Sequence, residues 1–294
     1  MRLQRQLRAV LQAAITPGLS RHWFRQVDSA LLRHHADSHP SLALKPLRPY
    51  LSLRWSRMQR MAAITQHYEI ARTAPAALQG AMLRPEGLLL AQLPGLHGEQ
   101  FELHLGYDQR FRKEGEWVLS VRRQGNHAYV IALSLTLARC IDGRTLCYIG
   151  SVQGAVNAQA DIKSLTKALH GLRPATLLVY AAQRLAAILD ATELRAVGRS
   201  IQVHRAKHLI HLPFLHALSF DYDRLWGELG GTRRSDGWFT LPLGEVRRAR
   251  ADMPANKRAQ YLRRYALLDD LYGQISARCG APPSCPPGVE ATHR

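Results

Sequence analysis

The sequence contains no run of about 18 consecutive apolar residues, the length that a membrane-spanning helix needs. Residues 1–15 also lack the unbroken apolar block of a secretory signal, because basic residues are spread among the apolar ones. Only four cysteines are present, and no two of them form the C-x-x-C pair that is typical of structural zinc sites. These absences predict a cytoplasmic protein with neither a membrane-spanning helix nor a bound metal.

Several common catalytic signatures are also missing from the chain. It has no Gly-x-Ser-x-Gly elbow, no Walker loop, no kinase signature and no Rossmann fingerprint. Serine hydrolysis and nucleotide-dependent phosphoryl transfer are therefore disfavoured.

Acidic residues are scarce relative to basic ones. The chain has 22 Asp and Glu against 40 Lys and Arg, which gives a net charge of +18 with histidine neutral. Such a charge attracts an anionic partner, and nucleic acid, an anionic membrane surface and a polyphosphate cofactor all satisfy this condition. Because no nucleic-acid-binding module is recognisable, nucleic acid is the least favoured of the three. Peripheral association with the inner membrane stays open.

The length of 294 residues predicts one main domain with helical additions. We divide it into a helical region over 1–75, an α+β core with a C-terminal helix over 76–279, and a disordered Pro-rich tail over 280–294. Within 1–15 the apolar residues recur at helical spacing with arginines between them, which fits either a membrane-surface helix or a helix packed on its own core. A second apolar stripe, from Leu51 to Tyr68, predicts another helix.

From about residue 100 the period changes from helical to extended. Four alternating segments predict strands that form an antiparallel meander, and the dipeptides Gly125-Asn126 and Asp142-Gly143 supply turns between them. The segments are Phe101–Leu105, Trp117–Val121, Tyr129–Leu133 and Thr145–Ile149.

After these strands the pattern returns to helix. Asn157 is the predicted N-cap of a helix through Leu169, Gly171 ends that helix, and Pro174 starts the next one. A strand at Glu193–Val197 would then complete a β-α-β crossover and lie parallel to a neighbour. The fold class is thus α+β, with a mixed, mainly antiparallel sheet flanked by helices.

The C-terminal part predicts one more strand and one long helix. Trp238–Leu241 forms the strand, and a helix over about 257–275 places Tyr261 and Tyr265 on its buried stripe. The basic run around this helix would follow the phosphates of DNA or of lipid headgroups, or it would remain a solvated face, and the functional and solvated interpretations are balanced. Its members are Arg247, Arg248, Arg250, Lys257, Arg258, Arg263 and Arg264.

A candidate phosphate site lies where a glycine-containing strand end precedes the start of a helix. Free N–H groups and the partial positive charge of a helix start attract phosphate, and Arg173 offers a bidentate contact. The candidate cofactor-binding residues are Gly150, Val152, Gln153, Gly154, Gly171 and Arg173. The competing interpretation makes Gly171 a helix C-cap and Arg173 a surface residue.

Three side chains are candidates for general acid or base: Tyr222, Asp223 and Glu228. For each of them, capping or core packing is the competing interpretation. Four histidines, His204, His208, His211 and His216, include a spacing that suits two metal ligands on one helix face. No carboxylate or cysteine pattern completes a metal site there, so none is expected.

The order of antiparallel strands, helix start and parallel strand resembles the acyl-CoA-dependent N-acetyltransferase superfamily. The stretch from Gly171 to Leu178, continuing through Ala186–Leu189 to Leu194–Val197, looks like its glycine-rich loop, helix and strand. That resemblance implies an acyl-CoA cofactor and an acceptor of small-molecule or peptide type. Two departures are an extra helix before the loop and a single glycine where two are normal.

A set of separated motifs, in one order along the chain, resembles the VirK family. They include Arg54-Trp55-Ser56, Gln59-Arg60, His67-Tyr68, Glu114-Gly115-Glu116, Gln153-Gly154, Leu165-Thr166-Lys167, His170–Pro174, Asp221-Tyr222-Asp223 and Arg263–Ala266. The resemblance covers about residues 51–271. It implies a bacterial protein linked to virulence, envelope functions and resistance to cationic antimicrobial peptides, and it supplies no reaction.

Overall fold

A computed structural model describes residues 16–204 and 221–281, together with the backbone of 289–290. The predicted helix within 1–15 and most of the predicted tail lie outside these ranges.

Eight strands form one mixed sheet in the order β1-β2-β3-β4-β5-β6-β8-β7. Neighbouring strands run antiparallel except β5 and β6, which are parallel. The predicted mixed, mainly antiparallel sheet is therefore confirmed. Its strands are β1 Leu88–Pro94, β2 Gln100–Gly106, β3 Trp117–Arg123, β4 Tyr129–Arg139, β5 Thr145–Gly154, β6 Ala191–Val197, β7 Thr232–Arg233 and β8 Trp238–Leu241. A separate parallel pair joins β9 Val246–Arg247 to β10 Val289–Glu290.

Helices precede the sheet, connect its strands and follow it. They are α1 Pro17–Val27, α2 Arg33–Ser38, α3 Arg57–Thr73, α4 Ala76–Gln79, α5 Gln159–Ala168, α6 Pro174–Ile188, α7 Tyr222–Glu228 and α8 Arg258–Cys279. Short 3-10 helices occupy Pro40–Leu44, Leu96–Gly98, Gln109–Phe111, Arg250–Asp252 and Ala255–Lys257. One continuous apolar core joins α1 and α3 to the sheet, α6 and α8.

Strands β2 to β5 agree with the four alternating segments of the sequence. Their turns contain Gly125 and Gly143, which adopt φ values of 73° and 82° that favour glycine. Strand β1 was not predicted, because its sequence opens with three leucines and ends in proline rather than alternating.

The helix α3 covers the part of β4 that extends beyond β3. Ser56 caps α3 in a reciprocal capping box with Gln59, which fixes where the helix starts. The backbone N–H of Leu137 then donates to His67 Nδ1 at 3.1 Å, and the N–H of Arg139 donates to Gln66 Oε1 at 3.0 Å. Side chains of α3 thus accept the hydrogen bonds that a neighbouring strand would otherwise accept from this part of β4.

The predicted crossover between β5 and β6 is present, with one correction at its start. Asn157 has a φ of 65° and precedes the N-cap position, which Ala158 occupies. Its left-handed backbone, which asparagine tolerates, places it in the turn instead. Pro174 opens α6 as predicted, and most of α6 is buried against the sheet and α8.

The helix α8 buries Leu268, Leu271 and Ile275, whereas Tyr261 and Tyr265 are only half-buried. The guanidinium groups of Arg248 and Arg264 lie 5.6 and 5.2 Å from the Tyr261 ring centre. The prediction that these tyrosines join the core is therefore wrong, because arginine side chains cover their faces instead. Within the described ranges, none of the helices combines the length and apolar character that crossing a bilayer requires.

Candidate functional site

The parallel strands β5 and β6 separate before β5 ends. Ile149 and Ala196 form their last pair, and β6 stops at the next residue, Val197. Strand β5 continues beside β4 alone as far as Gly154, which pairs with Ile131. The segment between the last pair and Gly154 therefore presents one backbone edge to the gap between the two strands.

Gly150 forms a β-bulge at the point of separation. It is the extra residue between Ile149 and Ser151, which pair with successive residues of β4. A Cβ at this position would lie 1.8 Å from the carbonyl oxygen of Glu114. The same oxygen accepts a hydrogen bond of 3.0 Å from the hydroxyl of Ser134. Only glycine allows the Glu114 segment to pack directly on β5.

Glu114 places a carboxylate beside this bulge, next to His204. The side chain of Glu114 is 1% exposed, and its Oε1 lies 2.6 Å from Nε2 of His204. Neither carboxylate oxygen has a partner with hydrogen-bond geometry in the described part of the chain. A buried carboxylate in this situation is energetically costly, and such groups are often retained for function. His204, with a side chain that is 22% exposed, links the carboxylate to the surface.

Two glutamines contact His204, one at its backbone and one at its imidazole ring. The backbone N–H of His204 donates to Gln202 Oε1 at 2.6 Å, and Nε2 of its ring lies 3.1 Å from Nε2 of Gln153. Nε2 of His204 therefore lies between the Gln153 amide and the buried Glu114 carboxylate. A histidine in contact with a carboxylate is an arrangement that can accept a proton from a substrate.

Tyr222 occupies the gap between β5 and β6. Its hydroxyl donates to the carbonyl oxygen of Val152 at 3.1 Å and lies 3.4 Å from the Val152 nitrogen. Burial raises the pKa of Tyr222, and the charge of Glu114 raises it further. The phenol therefore stays protonated at neutral pH.

The structure brings together four of the nine predicted site residues around Glu114 and His204: Gly150, Val152, Gln153 and Tyr222. The other two acid-base candidates point elsewhere. Asp223 accepts a hydrogen bond from the backbone N–H of Arg199 at 2.7 Å. Glu228 pairs with Arg173, and its other oxygen accepts from Arg224 at 2.9 Å. Their proposed proton-transfer roles remain predictions.

The start of α6 is contacted by other parts of the chain. The carbonyl oxygen of His170 accepts hydrogen bonds of 3.0 Å from both Gln260 and Arg264. Gly171 ends α5, as its N–H bonds to the carbonyl oxygen of Thr166. Since Arg173 is paired with Glu228, a phosphate bound there would have to replace a carboxylate. Gly154 lies beside α5, because a Cβ added to this glycine would be 3.2 Å from Cδ1 of Ile162.

A second buried carboxylate, Glu116, lies two residues beyond Glu114. It accepts from Lys45 at 2.6 Å, from Tyr50 at 2.8 Å and from Tyr68 at 2.9 Å. Burial first and the charge of Glu116 second hold the pKa of both tyrosines well above the usual range. Both carboxylate oxygens of Glu116 accept hydrogen bonds, so this cluster is structural.

Comparison with known protein families identifies the family to which the chain belongs. A family model described as "Protein of unknown function (DUF535)" matches residues 1–277. The chain belongs to the DUF535 family. The predicted resemblance to the VirK family is thereby confirmed, since the uncharacterized protein YbjX of Escherichia coli K12, a member of the VirK/YbjX group, is 31% identical to it over 277 residues. That match covers 91% of this chain and 81% of YbjX.

Other relatives of this DUF535 protein are more distant. An uncharacterized protein of Haemophilus influenzae is 30% identical over 76% of the chain and 73% of its own length. A protein named "Membrane protein LapB" from Mannheimia haemolytica is 26% identical over 56% of the chain and 70% of its own length.

Sequence reasoning did not identify Glu114 or His204 as a pair. Glu114 stands in one of the motifs shared with the VirK family, and that was the available signal. His204 was grouped with His208, His211 and His216, which lie outside the described residues. Chain order gives no sign that a carboxylate before β3 meets a histidine after β6.

Proposed function

We propose that this DUF535 protein is an acyltransferase that uses an acyl-coenzyme A donor and an amine acceptor. Its reaction centre is the gap between β5 and β6. The observation that carries the proposal is the pair of Glu114 and His204, in which a buried carboxylate with no hydrogen-bond partner among the described residues lies beside a partly exposed imidazole. Such a pair accepts a proton from an attacking nucleophile, and the carboxylate stabilises the imidazolium that forms.

The amine must lose a proton as it attacks. His204 takes that proton while the amine nitrogen forms a bond to the thioester carbonyl carbon, and the carbon–sulfur bond then breaks. The leaving thiolate takes the proton of the Tyr222 hydroxyl, which burial keeps protonated. Tyr222 is reprotonated from solvent, and His204 releases its proton to solvent, so the amide and the free thiol are the only products.

The edge of β5 beyond the bulge offers a place for the donor. An amide-containing chain can pair with a free strand edge through backbone hydrogen bonds. At Val152 both backbone groups now face the Tyr222 hydroxyl, which would have to shift to admit the donor. The sheet supports the proposal, since its antiparallel strands, helical crossover and parallel strand follow the order on which the acetyltransferase resemblance rests.

The proposed chemistry also fits the context that the VirK resemblance implies. Acylation of an amine removes a positive charge, and surface charge governs how strongly cationic peptides bind to a cell envelope. The proposed function therefore includes a role in virulence and in resistance to cationic peptides.

The test is release of free coenzyme A from acetyl- and longer acyl-coenzyme A, measured by chromatography with polyamines, amino sugars and lysine peptides as acceptors. We expect release above background for the wild type and a loss of at least about 100-fold for Glu114→Gln and Tyr222→Phe. The matched controls Glu69→Gln and Tyr129→Phe should keep full activity. Failure of the wild type to bind any acyl-coenzyme A by calorimetry would remove the proposal.

A second candidate is a non-catalytic protein that attaches to an anionic membrane surface. It is favoured by the exposed Arg248, whose guanidinium group stacks on Tyr261, and by the distant relative named as a membrane protein. Flotation with liposomes decides it, because attachment must increase with anionic lipid and fall with salt. Binding that ignores both variables would eliminate this candidate.

A further inference from the structure

A groove of about 540 Å³ lies between the last turn of α5 and the first turns of α8. Its walls include Lys167, His170 and Gly171 on one side and Asn256, Gln260 and Arg263 on the other. This volume falls within the range of small-ligand sites in proteins. The groove lies beside the start of α6. Neither Glu114 nor His204 is among the residues that line it.

The charge of the groove has one sign. Among the described residues that line the groove, none is acidic. Lys167 and Arg263 are exposed, and neither makes an ion pair with a residue in 16–204 or 221–281. The charge of Arg263 reaches the groove wall, since burial first and the charges of Arg263 and Arg264 next lower the pKa of His170. Lys167 and Arg263 therefore give the groove a positive potential that attracts an anion.

The floor of the groove is held in place by hydrogen bonds. Gln260 and Arg264 both donate to the carbonyl oxygen of His170, which joins α8 to the end of α5. Gly171 permits this approach, because it has a φ of 78° and a Cβ there would lie 2.7 Å from Gln260 Nε2. The two walls are therefore preorganised, which reduces the entropy lost on binding.

The first turn of α8 adds to the same potential. This turn carries no acidic residue and no side-chain cap, so the partial positive charge at the helix start is not neutralised by its own side chains. Ala259 and Gln260 bring this turn to the groove.

From these contacts we infer that the groove binds a phosphate-bearing ligand, with Lys167 and Arg263 holding the phosphate groups from opposite walls. Arginine gives phosphate a bidentate contact and lysine a flexible point charge. The ligand carries at least two negative charges, to match the two cations. Its phosphates come either from a soluble metabolite or from a lipid headgroup. The inference does not depend on acyl transfer, and it is tested without any reaction.

The full chain is titrated with pyrophosphate and with adenosine 3′,5′-bisphosphate by calorimetry, and with phosphatidylglycerol vesicles by co-sedimentation. Lys167→Ala and Arg263→Ala should each weaken binding about tenfold, and the double variant about 100-fold. The control is the double variant Lys163→Ala and Arg278→Ala, which removes the same charge from exposed sites on α5 and α8 outside the groove. It should bind like the wild type.

Binding of a soluble phosphate that the groove substitutions weaken identifies a metabolite as the source. Binding of vesicles alone, weakened by the same substitutions, identifies a lipid headgroup. The inference is overturned if the wild type binds none of the three probes at low ionic strength, or if the groove and control variants lose binding equally. All four substituted side chains are exposed, and thermal unfolding checks that the variants remain folded.

Discussion

Glu114 and Glu116 are both buried carboxylates, yet within the described residues only Glu116 has hydrogen-bond partners, while Oε1 of Glu114 lies 2.6 Å from Nε2 of His204. Two residues apart in one loop, they have opposite environments. A buried carboxylate in the situation of Glu114 lowers stability, and such a group is retained when it has another use. Glu116, in contrast, holds the side chains of Lys45, Tyr50 and Tyr68 against the sheet. Substitutions at the two positions should therefore have opposite effects.

Glu116→Gln should lower the free energy of unfolding by about 3 kcal/mol or more, because it leaves the ammonium group of Lys45 buried without a counter-charge. Urea denaturation at neutral pH measures the loss. Adding Lys45→Met to Glu116→Gln should restore part of the stability. If the double variant is no more stable than Glu116→Gln, the ion pair is not the cause.

Glu114→Gln should leave the free energy of unfolding within about 1 kcal/mol of the wild-type value or raise it, because a buried charge without hydrogen bonds is removed. The same variant should lose acyl transfer. Denaturation and coenzyme A release are measured on one preparation, with Glu69→Gln as the control. A large drop in stability would mean that Glu114 is structural, and the proposed base would lose its support.

Gly150→Ala should destabilise the protein by more than about 3 kcal/mol, since the added Cβ would collide with the Glu114 carbonyl oxygen at 1.8 Å. Gly273→Ala is the matched control, because Gly273 is exposed within α8 and nothing lies within 4 Å of an added Cβ. It should raise stability by about 0.5–1 kcal/mol through helix propensity. Thermal melts compare the two. Equal melting temperatures would contradict the packing of Glu114 on β5.

The imidazole of His35 should make stability depend on pH between about 4 and 6.5. Burial first, and the neighbouring charges of His34 and His39 next, lower the pKa of His35 from 6.5 to about 4. The unfolded chain therefore binds a proton in this window that the folded chain does not, so stability falls as the pH drops from 6.5 towards 4. Partial exposure limits the effect to about 1–2 kcal/mol.

His35→Asn should flatten that part of the pH profile relative to the wild type, in urea unfolding series from pH 4 to pH 7. His22→Asn, at an exposed position of α1, serves as the control and should leave the slope unchanged. Identical slopes for the wild type and His35→Asn would mean that His35 does not titrate differently in the two states.

Local patterns in the sequence determined the framework of the fold. Alternation identified β2 to β5, Pro174 marked the start of α6, and the strand–helix–strand order predicted the parallel pair of β5 and β6, because strand period, turn residues and crossover handedness act over short distances. The same patterns missed β1, whose leucine run does not alternate, and misplaced Tyr261 and Tyr265, since a stripe of apolar residues does not reveal which side chains will cover it.

Only the tertiary structure decided the site. Glu114 and His204 meet because β5 and β6 separate after Ile149 and because Gly150 lets the Glu114 segment lie on the strand. Lys167 and Arg263 likewise face one groove because α8 returns to the end of α5. These are contacts between residues far apart in the chain, and their geometry depends on packing at the scale of single atoms, which residue spacing does not encode.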